Sequence, residues 1–241
     1  GMPDHFSTPA ATAATANETR FQALTRAAAL VLSGPVRVET NLAAIVEQVL
    51  VLIDATPDSE RQHNCWDGSW SSIWISYPSL DPGRPGRPCP ALSRLPALSA
   101  LFEELGGTVG PVVIARLAPG DLLDWHYDPV PPSTLSYRFH LPIRSSPEAV
   151  TDFCHERVHW PVGGLYYGEY GFPHRVLNAS TEERIHLYFD VTGPGIAERL
   201  PDAVRVGFTA ENQRLKQDAV NEWLRARPIG AQPGGVVSAA G

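Results

Sequence analysis

The sequence predicts a mainly β protein with flanking helices, of the sandwich, barrel or jelly-roll kind. Two observations carry that reading. Between residues 110 and 191, short runs rich in β-branched and aromatic residues follow one another closely, separated by turn residues. On either side of this block, apolar residues recur at helical spacing.

The elements follow in chain order. Residues 1–16 mix Ala, Thr and Pro and read as a disordered tail, with Gly1 ahead of Met2 a remnant of tag removal. Glu18 to Leu32 reads as a helix, broken at Ser33-Gly34-Pro35. A second helix is expected from Thr40, whose hydroxyl can cap it, to Asp54, with Leu42, Ile45, Val46, Val49 and Leu50 on its apolar face. WSSIWISY (70–77) predicts a strand, and Trp66, Trp70 and Trp74 are expected to pack there, with the lining of a substrate mouth as the alternative. Residues 81–91, rich in Pro and Gly, predict a loop. A short helix over Ala97–Leu105 should stop at Gly106-Gly107.

Strands are then expected over 110–117, 121–128, 136–143, 157–162, 164–169, 174–178 and 184–191. Turns fall at Pro119-Gly120, Pro129 to Pro132, Gly163-Gly164, Gly171 and Asn178. Thr209 should cap a final helix to about Arg225, with Leu215, Ala219 and Trp223 on one face, and a loose tail follows Pro228. The organisation expected is a tail (1–16), N-terminal helices packing on the core (17–60), a β core (61–195) and a C-terminal helical extension and tail (196–241). The terminal helices cover the sheet or form a homodimer contact.

Bulk properties narrow the function. The chain has 241 residues, 43% hydrophobic and 19% charged, enough for a sizeable core. A net charge of −7 gives no sign of a nucleic-acid partner, since such binders carry a basic face. The most apolar helical stretch is interrupted by Glu47, Gln48 and Asp54, so no membrane span is expected. Cys65, Cys89 and Cys154 are odd in number and widely spaced, which argues for reduced thiols and a cytoplasmic protein.

One constellation carries chemistry. In Trp125-His126-Tyr127-Asp128, alternation on a strand would turn His126 and Asp128 to one side, where an imidazole and a carboxylate can chelate one ion. Phe172-Pro173-His174 supplies a second imidazole. Two histidines and a carboxylate on one face of an octahedron leave three positions open, the arrangement of non-haem iron oxygenases. Arg184 opens the run RIHLYFDV and offers a two-point fork for a carboxylate. Arg138 and His140 share one face of YRFHLPI. Arg184, His186 and Tyr188 share one face of the later run, opposite Ile185, Leu187 and Phe189. These polar faces line an anion pocket or face water.

The block from about 113 to 192 resembles the aspartyl/asparaginyl β-hydroxylase family of 2-oxoglutarate oxygenases. The resemblance rests on LAPG (117–120), His126, RFH (138–140), Trp160, GGLYYGE (163–169), PH (173–174) and RIHLYFDV (184–191), in that order. It implies a double-stranded β-helix, the cupin-like jelly roll, with iron(II), 2-oxoglutarate and dioxygen as cofactor and co-substrates. It further implies His126 and His174 as iron ligands and Arg184 on the distal carboxylate of 2-oxoglutarate. Arg138 and His140 would then contact co-substrate or substrate. The animal members lack a carboxylate two residues after the first histidine. Asp128 stands there in this chain, closer to bacterial free-amino-acid hydroxylases such as proline cis-4-hydroxylase. A complete ligand set is therefore expected, and the substrate is an amino-acid side chain, free, carrier-bound or peptidyl.

Plainer roles compete residue by residue. Asp128 can cap the turn at Pro129, and His174 alone would read as a core histidine. His140, His186 and Glu169 are expected to support the site rather than bind metal. Cys154, His155 and His159 lack the paired spacing of a zinc site. The rival to an enzyme is a jelly-roll metal-binding or sensor protein without turnover.

Overall fold

The computed structural model describes residues 17–63, 70–81, 84–129 and 136–227. Two antiparallel sheets form its body. The larger runs in the order β1 (Ser33–Pro35), β10 (Tyr166–Gly168), β7 (Ser136–Arg144), β12 (Arg184–Thr192), β5 (Thr108–Leu117), β3 (Trp70–Tyr77) and β2 (Gln62–His63), with β4 (Arg87–Pro88) also paired to β3. The smaller runs β6 (Leu122–His126), β11 (His174–Asn178), β8 (Ala149–Phe153) and β9 (Glu156–Val158). From β5 onward the chain shuttles between them: β5 large, β6 small, β7 large, β8 and β9 small, β10 large, β11 small, β12 large. That winding is the double-stranded β-helix, the cupin-like jelly roll.

The alternation of β12 divides its residues as the period of two requires. Ile185, Leu187, Phe189 and Val191 join Tyr137, Phe139, Leu141 and Ile143 of β7 in the main core. Helices α2 (Leu42–Asp54) and α3 (Pro96–Leu105) cover that face with Ile45, Val49, Leu52, Leu98, Leu101 and Leu105. Each such fully buried side chain contributes roughly 1.5–3 kcal/mol. The opposite face of the large sheet looks toward the small one, where Leu117 and Trp70 meet Leu123 and Val176. The polar residues of β7 and β12 therefore lie between the sheets.

The ends of the described chain meet on a third cluster. Helix α1 (Arg20–Ala27) packs on α5 (Ala210–Ala226), which follows the single turn α4 (Asp202–Arg205). Phe21 of α1 sets its ring edge-on to Trp125, and Trp223 of α5 does the same to Tyr127. Both aromatics flank His126.

Several boundaries differ from the sequence reading. The first helix covers only Arg20–Ala27, capped by a reciprocal Thr19–Gln22 box. Ser33-Gly34-Pro35 is an edge strand, not a break, because an edge tolerates proline. Asn41 caps α2, receiving the Ala44 N–H, while Thr40 is drawn to Glu104. The 81–91 stretch contains β4, and residues 90–94 coil into a 3-10 turn. The strand expected to 128 ends at His126, and those expected over 157–162 and 164–169 shorten to 156–158 and 166–168. Strand β8 was not foreseen. Gly106 closes α3 in the left-handed conformation (φ 70°), which needs no Cβ, and Thr209 caps α5. The expectations for residues 1–16, Cys65, Trp66, residues 130–132 and the tail from 228 lie outside the described residues. No helix among the described residues is long and apolar enough to cross a membrane.

Candidate active site

His126 closes β6, and His174 opens β11, its neighbour in the small sheet. The two are register partners, with ring centroids 4.3 Å apart. Asp128 lies just beyond the end of β6. Its backbone N–H donates to the Tyr170 carbonyl (2.9 Å), which turns the chain so that the carboxylate still reaches the imidazoles. The Asp128 Oδ2 is 3.9 Å from His174 Nε2. One ligand atom from each of the three residues falls within 4.8 Å of the others.

The imidazoles are aimed by the backbone. His174 Nδ1 lies 2.8 Å from the Phe172 carbonyl, and His126 Nδ1 lies 2.6 Å from that of Asp124. A carbonyl only accepts, so each Nδ1 donates its proton and each Nε2 keeps a free lone pair. Burial and the neighbouring His126 push His174 down to about 3, so it is neutral at ordinary pH. Burial opposes charge on Asp128, but Arg138 and the two imidazoles outweigh it and hold the carboxyl below its usual range. Two imidazoles and a carboxylate are the donor set a first-row divalent metal takes.

The β7 and β12 faces supply the surroundings. His140 and His186 sit with their Nδ1 atoms 3.0 Å apart, buried among Tyr170, Tyr188 and Trp160. Burial and the nearby Arg184 hold both well below the usual histidine range. Arg138 pairs with Asp128 and Asp190. A cavity of about 80 Å³ beside Asp128 is lined also by Ser136, Glu169 and Tyr170. Glu169 accepts from the Tyr167 hydroxyl and faces Lys216.

Arg184 is 3% exposed, and among the described residues it has no carboxylate partner. Burial pushes it down to about 10. Among the described residues its Nη2, the Tyr170 hydroxyl and His186 Nε2, all buried, have no hydrogen-bond partner. An unpaired buried cation is costly, and a bound anion offsets part of that cost. A guanidinium and a phenol hydroxyl are donors suited to a small carboxylate.

The site thus gathers His126, Asp128 and His174 into one cluster, with Arg138 touching Asp128 and with His140 and Arg184 on the facing sheet. Asp190 and Tyr170 escaped the sequence reading. For Asp190 a signal existed, since the alternation placing Arg184, His186 and Tyr188 on one face continues to 190. Among the described residues, His126, Asp128 and His174 form the one group suited to a metal, and Cys154 is buried against the Pro173 carbonyl.

No curated protein matches the chain. Among solved structures, an oxidoreductase of the 2OG-Fe(II) oxygenase family from Burkholderia pseudomallei matches with TM-score 0.48 and 14% identity, over 75% of this chain and 93% of that one. A prolyl-4-hydroxylase from Pseudomonas putida matches with TM-score 0.43 and 18% identity, over 71% and 98%. Residues 39–194, more than half of the chain, match the sequence model of the Aspartyl/Asparaginyl beta-hydroxylase family. The protein accordingly belongs to the aspartyl/asparaginyl β-hydroxylase family, a family of 2-oxoglutarate-dependent iron(II) dioxygenases.

Proposed function

We propose that this protein hydroxylates an amino-acid side chain, using iron(II), 2-oxoglutarate and dioxygen, and that His126, Asp128 and His174 hold the metal. The observation that carries the reading is the convergence of three ligand atoms, one from each residue, within 4.8 Å. When bound, iron would supply the site at which dioxygen, the oxidant, is reduced, with 2-oxoglutarate giving two electrons and leaving as succinate and carbon dioxide, one oxygen atom going to succinate and the other to the product.

The chain's own work is binding and orientation. The Asp124 and Phe172 carbonyls hold the protons of the two Nδ1 atoms and so present both Nε2 lone pairs to one point. Arg184, buried beside Tyr170, takes the distal carboxylate of 2-oxoglutarate. His140, packed between the rings of Tyr170 and Tyr188, and His186, against the ring of Trp160, keep water from that end. The amino-acid substrate, free, carrier-bound or peptidyl, enters from the side of the cavity at Asp128.

The test is succinate release from 2-oxoglutarate with iron(II), alongside mass-spectrometric detection of an amino-acid product heavier by one oxygen atom. Turnover that persists in His126→Ala, or that ignores 2-oxoglutarate, would sink the proposal.

A further inference from the structure

The resemblance assigns Arg138 to co-substrate or substrate, yet its guanidinium is already engaged inside the protein. Nε donates to Asp190 Oδ1 (2.8 Å) and Nη2 to Asp190 Oδ2 (3.1 Å), a two-point clamp. Nη1 donates to Asp128 Oδ2 (2.6 Å). Asp190 and Arg138 are register partners on β12 and β7, so the clamp is set by the sheet itself. The rings of Tyr188 and Tyr170 bracket the guanidinium carbon at 5.1 and 5.8 Å.

Asp128 is the ligand that most needs such a hold. The imidazoles stand at strand ends in a ladder and are braced by carbonyls. Asp128 stands past its strand, before Pro129, and among the described residues only Arg138 hydrogen-bonds its carboxylate. A carboxylate oxygen that accepts one hydrogen bond keeps a lone pair for a metal.

We propose that Asp190 is a positioning residue of the metal centre: it locks Arg138, and Arg138 aims the Asp128 carboxylate at the two imidazoles. The inference rests on the metal-site reading above. It gives Arg138 a positioning duty toward Asp128. Groups that orient metal-binding side chains typically govern about 10–100-fold in metal affinity.

Charge alone makes the opposite prediction, which gives the test its edge. A guanidinium beside the site repels a cation, so its removal would tighten binding if orientation did not matter. The experiment titrates cobalt(II) into metal-free protein without 2-oxoglutarate, following heat and the cobalt d–d absorption. Wild type, Asp190→Asn, Arg138→Met and His174→Ala are compared, with circular dichroism as the check on folding. The expected result is binding about 10–100-fold weaker in both Asp190→Asn and Arg138→Met, with an altered cobalt spectrum. Unchanged or tighter binding in a folded Arg138→Met overturns the inference. If that variant does not fold, Arg138→Gln decides by the same criterion, and unchanged binding in a folded Asp190→Asn overturns the role given to Asp190. Wild type that binds no cobalt, or His174→Ala that binds it equally well, instead overturns the metal-site reading beneath it.

Discussion

His126 and His174 face each other across β6 and β11 as direct register partners, their rings 4.3 Å apart. Opposed residues on antiparallel strands have Cβ atoms about 4.5–5.5 Å apart. The spacing of the two imidazoles is therefore a property of the ladder, present before any metal arrives. His126→Ala should cut iron-dependent succinate release at least ~100-fold, the equivalent of several kcal/mol. His126 is only half-buried, so the thermal midpoint of the metal-free protein should hardly move. A variant retaining a tenth or more of the activity would contradict the assignment.

Arg184 is buried, and no acid among the described residues pairs with it. Arg184→Gln should raise the KM for 2-oxoglutarate by roughly 30-fold or more, since losing a buried charge contact costs about 2 kcal/mol or above. Cobalt affinity should stay as in wild type. Steady-state kinetics with varied 2-oxoglutarate separates the two effects, and an unchanged KM would remove Arg184 from the co-substrate site.

How far the sequence reaches is clearest in RIHLYFDV. Its period of two sets Ile185, Leu187 and Phe189 opposite Arg184, His186 and Tyr188 and assigns the first set to the core; that the polar face turns inward and does not meet water comes from the structure. Strand β8 illustrates the limit. Asp152 interrupts its apolar residues and suggests a loop. In the fold that carboxylate is buried because Arg157 and Arg175, from the strands on either side, both bind it. The Arg138–Asp190 clamp is equally invisible along the chain, because it depends on the register between β7 and β12. The site's residue types were legible; their pairing was not.

Asn178 ends β11 with its side chain wholly engaged. Its Nδ2 donates to the carbonyls of Leu117, Ala118 and Glu182, and its Oδ1 accepts from Ser180. Asn178→Ala strands three acceptors and should cost about 1–3 kcal/mol. Urea unfolding would register this as a lower midpoint at unchanged slope.

Gly168 lies where β10 passes the interior. A Cβ there would stand 2.4 Å from the Phe153 ring, itself fully buried, and 2.8 Å from that of Tyr170. Gly168→Ala should destabilise by roughly 1–3 kcal/mol through overpacking. Because Phe153 is the register partner of His174, cobalt binding should weaken too. Calorimetry showing no loss of thermal midpoint would refute the crowding.

Burial holds His140 and His186 well below, and His174 at about 3 against, the ordinary value of 6.5. Below about pH 6.5 the unfolded chain takes up protons that the native state refuses, so stability falls with pH. Each such group adds a slope of up to ~1.4 kcal/mol per pH unit. The urea midpoint of metal-free protein should hold steady from about pH 8 to 7 and drop between about 6.5 and 5. That window lies above the carboxylates, whose loss begins nearer 4.5 for Glu104. A midpoint flat down to pH 5 would contradict neutral burial of these imidazoles.

The three residues of β1 close one border of the large sheet. Ser33, Gly34 and Pro35 cover β10, while the Ser33 hydroxyl and the Leu32 N–H both bind Glu156 of the small sheet. Pro35 has no N–H to offer a further strand. This short segment is thus a selvedge that keeps the fabric from being extended by another molecule. Proteolytic trimming past Pro35 would unpick it, and the shortened protein should associate with itself through the bared β10 rather than simply lose a loose end.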